Sequence, residues 1–320
     1  GSLGKLEELA IRLAGITGRT CPSFPKKSVV LFAADHDITL KGVSATGQEV
    51  TEIQVRNFLK GGGTINAFCR NAGASLTVVD VGIKGDVGGA EGLVRRKVVH
   101  AARDFSEGPA MTREEALACV QVGIDMAHEE AKKGVTLLSA GEMGIGNTTT
   151  SSAVFSVLSQ ITPELVTGKG AGLSKAGIQR KIQVIQAAIQ KYQPNPEDVI
   201  DVLSKVGGLD ICGMMGAFLG GAIYRVPVLI DGFISAVAAN CAVHYAPACK
   251  PFLYASHCSA EPAGKLALEA LQLHAYLECG MCLGEGTGAV IGAKLFDFAL
   301  AAYTEAASFQ QAQVTPYQPL

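Results

Sequence analysis

A glycine-rich segment follows the apolar run at residues 135–140, and its residue types suit the binding of an anion. It reads Gly141-Glu142-Met143-Gly144-Ile145-Gly146-Asn147-Thr148-Thr149. Glycines let backbone N–H groups approach an anion closely, and the N-terminus of the helix that follows adds partial positive charge. The segment therefore predicts a phosphate-binding loop. The alternative is a tight turn capped by an asparagine or a threonine, and the absence of a following Gly-Lys-Ser/Thr excludes a P-loop.

Two carboxylates lie beside glycines, and each has a chemistry to which it is suited. Glu285 lies in the segment Leu283-Gly284-Glu285-Gly286-Thr287-Gly288-Ala289, at the start of a long apolar helix. Apolar neighbours desolvate a carboxyl and raise its pKa, which suits a general base that works near neutral pH. The alternative for Glu285 is a solvent-exposed side chain stabilised by the helix dipole. Glu142 is an unusual neighbour for a phosphate, so we expect it to contact a ribose hydroxyl or a second ligand.

The sequence motifs give less support to metal binding or redox chemistry than to anion binding and general-base catalysis. Asp35-His36-Asp37 lacks a further His or Cys cluster at ligand spacing, and the chain has no HExxH motif, so we interpret these residues as loop caps and hydrogen-bond partners. Cys279 and Cys282 form a single CxxC in an apolar segment, which predicts buried packing thiols. The nine cysteines are odd in number and scattered, so we expect no disulfide framework and a reducing cytoplasmic location.

Composition narrows the class of protein. The 320 residues are 48% hydrophobic and 18% charged, which excludes a disordered polypeptide. A formal net charge of −2 argues against broad nucleic-acid binding. Residues 1–20 lack the apolar core of a signal peptide. The apolar stretches near 209–224 and 286–302 are interrupted by glycine, charged or polar residues, so they predict buried helices and no membrane span.

The loops with chemistry follow short apolar runs that alternate with helical patterns. The predicted strands are 28–34, 75–82, 93–99, 135–140, 226–231 and 251–255. The predicted helices are 4–14, 51–72 with an interruption at the glycines 61–63, 113–133, 151–160, 174–192, 196–205, 208–224, 232–243, 262–275 and 286–307. Continuous apolar strands are typical of a mainly parallel sheet with helices on both faces. Ligands bind beyond the carboxyl ends of such strands, where the loops 35–49, 141–150 and 256–261 lie.

Taken in this order, the motifs resemble the nicotinate-nucleotide:dimethylbenzimidazole phosphoribosyltransferase family. The resemblance extends from Gly1 to about residue 300, and its motifs are the two glycine-rich segments together with Gly42-Val43-Ser44-Ala45, Gln48-Glu49-Val50-Thr51, Val228-Leu229-Ile230-Asp231-Gly232-Phe233, Ser256-His257 and Ser259-Ala260-Glu261. It implies a large Rossmann-like α/β domain over residues 26–285. It also implies a small helical domain built from both chain ends, residues 1–25 and 286–320.

The resemblance further implies a reaction. The phosphoribosyl group of nicotinate mononucleotide would move to an aromatic base of the dimethylbenzimidazole type, giving an α-riboside 5′-phosphate and nicotinate during cobamide assembly. No metal and no organic cofactor is expected. The expected partners are these small molecules and a second subunit, either a second copy or a paralogue, with no nucleic acid and no membrane.

The family's functional residues carry over where the motifs match. Glu285 takes the position of the catalytic glutamate, and Glu142 takes that of a second glutamate near the ribose and the acceptor. The residues implied for the nucleotide phosphate and ribose are Gly144, Gly146, Asn147, Lys181, Ser259 and Ala260. The residues implied for the acceptor-base pocket are Ser44, Gln48 and Met143.

One departure from the family leaves the acceptor open. The family commonly has Asp-His-Gly after the first strand, whereas this chain has Asp37 in place of that glycine. A change in the wall of the acceptor pocket could change the acceptor. The alternative acceptors are phenol and p-cresol, which would be attached to the ribose through oxygen by an enzyme that works with a paralogous subunit. An inactive supporting paralogue is disfavoured because Glu285 and Glu142 are both present. A Rossmann oxidoreductase is excluded because no GxGxxG follows the first strand.

Overall fold

The computed structural model describes residues 2–87 and 89–315. In this part of the chain one sheet contains the strands β1 (Lys27–Ala34), β2 (Ala74–Gly82), β3 (Leu93–Arg95), β4 (Leu137–Met143), β5 (Val228–Ile230) and β6 (Leu253–Ala255). Their order is β3-β2-β1-β4-β5-β6, and every neighbouring pair is parallel. The predicted parallel α/β sheet is therefore confirmed.

Helices connect the strands and cover both faces of the sheet. They are α1 (Lys5–Thr17), α2 (Glu49–Leu59), α3 (Thr64–Ala72), α4 (Arg113–Lys132), α5 (Asn147–Ser159), α6 (Pro163–Val166), α7 (Lys175–Tyr192), α8 (Val199–Val206), α9 (Leu209–Ile223), α10 (Phe233–Tyr245), α11 (Gly264–Ala270) and α12 (Thr287–Glu305). Two short 3-10 helices lie at Asp37–Lys41 and Pro247–Phe252. None of the helices within the described ranges is both long and apolar enough to cross a membrane.

The alternation of side chains along β1 explains why this strand is apolar from Val29 to Ala34. Val30 and Phe32 belong to the core cluster that includes residues of α4 and α9, whereas Val29 and Leu31 belong to the cluster on the α2 and α3 side. All eight residues of β1 are buried. A strand that is covered on both faces has no position for a solvent-exposed side chain, which is why its sequence shows no polar alternation.

The α4–α9 pair is packed close to the limit that backbones allow. A Cβ atom on Gly123 would lie 2.0 Å from the Gly213 carbonyl oxygen, and one on Gly216 would lie 2.0 Å from the Val120 carbonyl oxygen. The small residues of the 208–224 segment therefore permit direct backbone contact between the two helices.

The two ends of the described chain pack on each other. Leu9 and Leu13 of α1 share a buried cluster with Phe296 and Leu300 of α12, and Phe24 contacts Phe296 edge to face at 6.0 Å. The same cluster includes side chains of β5 and β6. The division into two domains stays a prediction, and Gly1 and residues 316–320 of the predicted small domain lie outside the described residues.

Thr112 caps the start of α4. The Thr112 hydroxyl accepts the Glu115 N–H at 3.1 Å, and the Glu115 carboxylate accepts the Thr112 N–H at 2.7 Å. This reciprocal pair satisfies two donors at the start of the helix.

Three expectations are wrong in detail. The predicted strand 93–99 ends at Arg95, and the predicted helix 262–275 covers only Gly264–Ala270. Cys279 and Cys282 are exposed instead of buried. The reason is that residues 278–283 form neither helix nor strand, so their apolar side chains have no partner element.

Candidate active site

A cavity of about 320 Å³ opens at the carboxyl ends of the strands. Its position next to β1 and β4 is the point where the strand order reverses, since β2 and β3 extend to one side and β5 and β6 to the other. The loops 35–49, 141–150 and 256–261 all contribute to its wall, through Ser44, Glu142 and His257 among others. Asp231, which follows β5, and Glu285, which precedes α12, complete the inner wall.

Two helices direct their N-termini at this cavity. Helix α5 begins after Gly146, which has a φ of 100°, and α10 begins after Gly232. Thr148 and Ile234, from the first turns of these helices, line the wall. Helix N-termini carry partial positive charge and free N–H donors, so this side of the cavity suits a phosphate.

The glycines of the predicted phosphate loop also have a structural requirement. A Cβ on Gly144 would lie 2.3 Å from the Ala34 carbonyl oxygen, and one on Gly146 would lie 2.6 Å from the Thr39 methyl carbon. The loop therefore needs both glycines to pass close to the end of β1. The tight-turn interpretation therefore applies to this segment, and its role in binding an anion stays a prediction.

Lys181 lies behind the wall instead of on it. Its side chain is fully buried, and its ammonium group donates to the Thr148 hydroxyl at 2.8 Å. Burial lowers the pKa of Lys181 to about 8, while the negative charge of Glu261 raises it. Thr148 therefore separates this cation from the cavity.

Glu285 is a buried carboxyl with a free oxygen. It is 7% exposed, and its Oε2 has no hydrogen-bond partner among the described residues. Burial raises its pKa and the charge of Asp231 adds to this, while the Ile65 N–H lowers it. The solvent-exposed alternative for Glu285 is thus excluded, and the desolvated carboxyl that the sequence predicts is confirmed.

Asp231 fixes the backbone that carries Glu285. Its carboxylate accepts the Gly286 N–H at 3.0 Å and the Ala289 N–H at 2.9 Å, at the first turn of α12. Glu285 itself has a φ of 64°, a left-handed conformation that is costly for a residue with a side chain. The hydrogen bonds from the Gly286 and Ala289 N–H groups to Asp231 hold the strained residue in place.

Glu142 differs from Glu285 because both of its oxygens are occupied. Oε2 accepts the Asn147 side-chain amide, and Oε1 accepts the Glu285 N–H at 3.3 Å. Burial, followed by the negative charges of Asp210 and Asp231, raises the pKa of Glu142 to about 8. The carboxyl is therefore mostly protonated at pH 7 and has a proton to donate.

The remaining predicted residues divide into two groups. Those that line the cavity are Ser44, Met143, Gly144, Gly146, Asn147 and Ser259. Gln48 and Ala260 are not on its wall. The Gln48 amide donates to Asp37 at 3.0 Å, and Ala260 is exposed, with its N–H bonded to the Met281 carbonyl at 2.9 Å. The roles implied for these residues stay predictions.

Sequence reasoning assigned no role to three buried residues near the site. Asp231 follows a strand and belongs to a quoted motif, so its position was a usable signal. Asp210 was detectable as the one carboxylate in the apolar 208–224 segment. His257 lines the cavity, and its Nδ1 lies 3.0 Å from the Ser256 hydroxyl.

The donor set does not favour a metal ion. Across residues 2–87 and 89–315, no group of three or more His, Cys, Asp or Glu side chains has a geometry that would hold one. Asp35 accepts the Lys84 N–H at 2.8 Å, and His36 lies 3.3 Å from Asp210. Asp35 is thus a hydrogen-bonded loop residue, as interpreted from the sequence, whereas both ring nitrogens of His36 lack a hydrogen-bond partner among the described residues.

Comparison with known proteins gives a consistent answer. A family model described as phosphoribosyltransferase matches residues 1–314. The nicotinate-nucleotide–dimethylbenzimidazole phosphoribosyltransferase of Acetivibrio thermocellus is 47% identical over 319 residues, covering 100% of this chain and 91% of the relative. The protein of the same name from Clostridium acetobutylicum is 47% identical over 320 residues, with the same coverage.

Structural comparison agrees with the sequence comparisons. A crystal structure of CobT from Thermus thermophilus superposes with a TM-score of 0.94 and 40% identity, covering 98% of this chain and 94% of that one. The chain therefore belongs to this phosphoribosyltransferase family and is an enzyme of the transferase class.

Proposed function

We propose that the chain transfers the phosphoribosyl group of nicotinate mononucleotide to an aromatic base of the dimethylbenzimidazole type, in the assembly of cobamides. The products are an α-riboside 5′-phosphate and nicotinate. The observation that carries the proposal is the buried Glu285 carboxyl, with an unpartnered oxygen, in a cavity that two helix N-termini also face. The names of the relatives from Acetivibrio thermocellus and Clostridium acetobutylicum support these substrates.

The transfer needs one base and no acid. A nitrogen lone pair of the acceptor forms the new bond to C1′ while the bond from C1′ to the pyridinium nitrogen breaks, with inversion at C1′. The electron pair of the broken bond neutralises the pyridinium, so nicotinate leaves without being protonated. The acceptor loses its ring N–H proton to Glu285 Oε2, because this oxygen has no other partner among the described residues.

The nucleotide phosphate binds at the N-termini of α5 and α10, where the Ser259 hydroxyl and the Thr148 hydroxyl also line the wall. Lys181 stabilises this end through Thr148. The protonated Glu142 donates a hydrogen bond to the ribose or to the acceptor.

The acceptor base binds at the more apolar end of the cavity. Val43, Val50, Met143 and Leu283 are apolar residues that line the cavity, and Ser44 adds one hydroxyl. An apolar slot with few polar groups suits a flat aromatic ring. No relative reported above is named for a phenol, so phenolic acceptors enter only as an outcome of the product assay.

The proposal also covers the assembly and the cellular location of the chain. A dimer, with a second copy or a paralogous subunit, is implied by the family resemblance alone. The nine free cysteines support a reducing compartment such as the cytoplasm. The mass of the purified protein in solution tests the first point, and localisation of the tagged full chain tests the second.

A product assay tests the reaction. The chain is incubated with nicotinate mononucleotide and, separately, with dimethylbenzimidazole, adenine, phenol or p-cresol, and the products are identified by mass spectrometry. We expect the dimethylbenzimidazole riboside phosphate and stoichiometric nicotinate. A phenolic product alone would change the acceptor class, and no product with any of the four acceptors would count against the proposed function of this chain acting without a paralogous subunit.

A further inference from the structure

We propose that Asp210 is a positioning residue for the transfer: through the Asn147 amide that the two carboxyl groups share, it orients the Glu142 carboxyl so that its hydroxyl donates into the cavity. The inference rests on the function proposed above and deepens it. Asp210 lies outside the cavity wall and outside every motif that implied a functional residue. Its effect on substrate is therefore indirect.

One amide connects the two carboxyl groups. The Asn147 Nδ2 donates to Glu142 Oε2 and, at 2.8 Å, to Asp210 Oδ2. A primary amide has two N–H donors, so this arrangement uses both of them. Asn147, Glu142 and Asp210 are all buried, so no exposed rotamer competes with this geometry.

The other end of Asp210 is equally fixed. Its Oδ1 accepts the Ile211 N–H at 2.9 Å and lies 3.3 Å from His36 Nε2. A Cβ on Gly208 would lie 2.4 Å from the His36 ring, so a glycine at that position lets the imidazole approach. A buried aspartate that accepts a backbone N–H and lies against an imidazole keeps a defined position relative to Asn147.

The groups that face Glu142 are acidic or neutral. Asp210 comes from α9, Asp231 follows β5, Glu285 precedes α12 and Asn147 begins α5. The charges of Asp210 and Asp231 both oppose ionisation of Glu142. Asp231 is occupied by the start of α12, so Asp210 is the acid that the shared amide links directly to Glu142.

The orientation of the Glu142 hydroxyl follows from its two hydrogen bonds. Both carboxyl oxygens already accept an N–H, from Asn147 and from Glu285. The proton of the neutral carboxyl is therefore directed away from both donors. Because Glu142 lines the cavity, the hydroxyl is available to a ribose oxygen or to the acceptor.

The proposal makes a signed prediction for the pH dependence. Glu142 has to be protonated to donate, so kcat falls as the pH rises through the pKa of Glu142. Replacing Asp210 with asparagine removes one negative charge and conserves the shape of the side chain. Ionisation of Glu142 becomes easier, so the alkaline limb of kcat moves to lower pH, by about one pH unit.

Lys181 also titrates near pH 8, and the measurement has to separate it from Glu142. Lys181 acts at the phosphate end through Thr148, so its deprotonation affects nucleotide binding. The profile is therefore recorded as kcat at saturating nucleotide, since kcat reports groups in the bound complex.

The experiment compares Asp210→Asn with Asp80→Asn in the full chain. Asp80 is also buried and accepts two backbone N–H groups, from Gly82 at 3.0 Å and Ile83 at 2.8 Å, but its charged neighbour is Lys97. We expect the alkaline limb to move in Asp210→Asn and to stay in place in Asp80→Asn. An equal loss of kcat at every pH in Asp210→Asn, with no movement of the limb, would reduce Asp210 to a structural residue.

A second variant, Glu142→Gln, tests the same proposal if Asp210→Asn does not fold. Glu142→Gln is neutral at every pH, so the alkaline limb of kcat should vanish, at a lower absolute rate. A limb that persists at the same pH in Glu142→Gln overturns the proposal. Failure of the wild-type chain to form product with any acceptor would instead count against the proposed function.

Discussion

Glu285 and Glu142 are two buried glutamates whose hydrogen bonds give them opposite roles. The free oxygen of Glu285 is a proton acceptor, whereas Glu142 has both oxygens occupied by N–H donors and carries a proton of its own at neutral pH. Environments that treat two carboxyls differently are how enzymes obtain an acid and a base from one residue type. The sequence predicts a functional role for both glutamates. The hydrogen bonds that the surrounding residues make determine which one accepts a proton and which one carries one.

The role of Glu285 is tested by Glu285→Gln. The substitution removes the base and conserves the size of the side chain, so we expect kcat to fall by about 10²-fold or more while nucleotide affinity changes little. Steady-state kinetics and a direct binding titration measure the two quantities. Unchanged turnover would remove Glu285 from the mechanism.

The role of Lys181 is tested by Lys181→Met. The methionine fills a similar volume without the charge, so we expect the KM for nicotinate mononucleotide to rise by about tenfold, with a smaller change for the acceptor. Lys175→Met, at the exposed start of the same helix, is the matched control. A change confined to the KM for the acceptor would contradict the assignment of Lys181 to the phosphate end of the cavity.

At the scale of elements, local patterns predict the type of each element better than its ends. The apolar run of β1 and the Thr112–Glu115 cap of α4 are readable because their causes are local. The end of α11 at Ala270 is not, since the chain turns there through Gln272, which has a φ of 53°. A left-handed residue that is not glycine leaves no compositional signal.

The close approach of α4 and α9 is tested by Gly216→Ala. The new methyl group would meet the Val120 carbonyl oxygen, so we expect a loss of about 1–3 kcal/mol in the free energy of unfolding, measured by denaturant titration. Gly15→Ala in α1 is the control, because a Cβ there meets nothing within 4 Å. The control should be neutral or stabilising by about 0.5–1 kcal/mol.

At the scale of the whole molecule, tertiary packing of several elements forms the site, and the sequence predicts only part of this arrangement. Glycine, acid and hydroxyl residues after apolar runs predict that several loops meet at one sheet edge, and they do. The contact of Asn147 with Asp210 could not be predicted, because it depends on how α9 packs beside α5. Nor could the turn of Gln48 towards Asp37, which depends on the path of the 35–49 loop.

The assembly of the site from loops after several strands has a measurable consequence for stability. A nucleotide bound there contacts elements that are distant in sequence and binds only the folded chain. We expect nicotinate mononucleotide at 100 times its Kd to stabilise the fold by about 2.7 kcal/mol, seen as a rise in Tm. Glu285→Gln should keep this rise, and its absence in the wild type would contradict the nucleotide site.

Because Glu285 has a left-handed backbone, selection for stability and selection for activity favour different residues at this position. Glycine at this position would relieve the strained φ of 64° and remove the Glu285 oxygen that has no partner among the described residues. A laboratory selection for heat resistance alone would therefore accept glycine at 285, and a selection for product would discard it. Directed evolution of this scaffold has to screen for both traits in the same round.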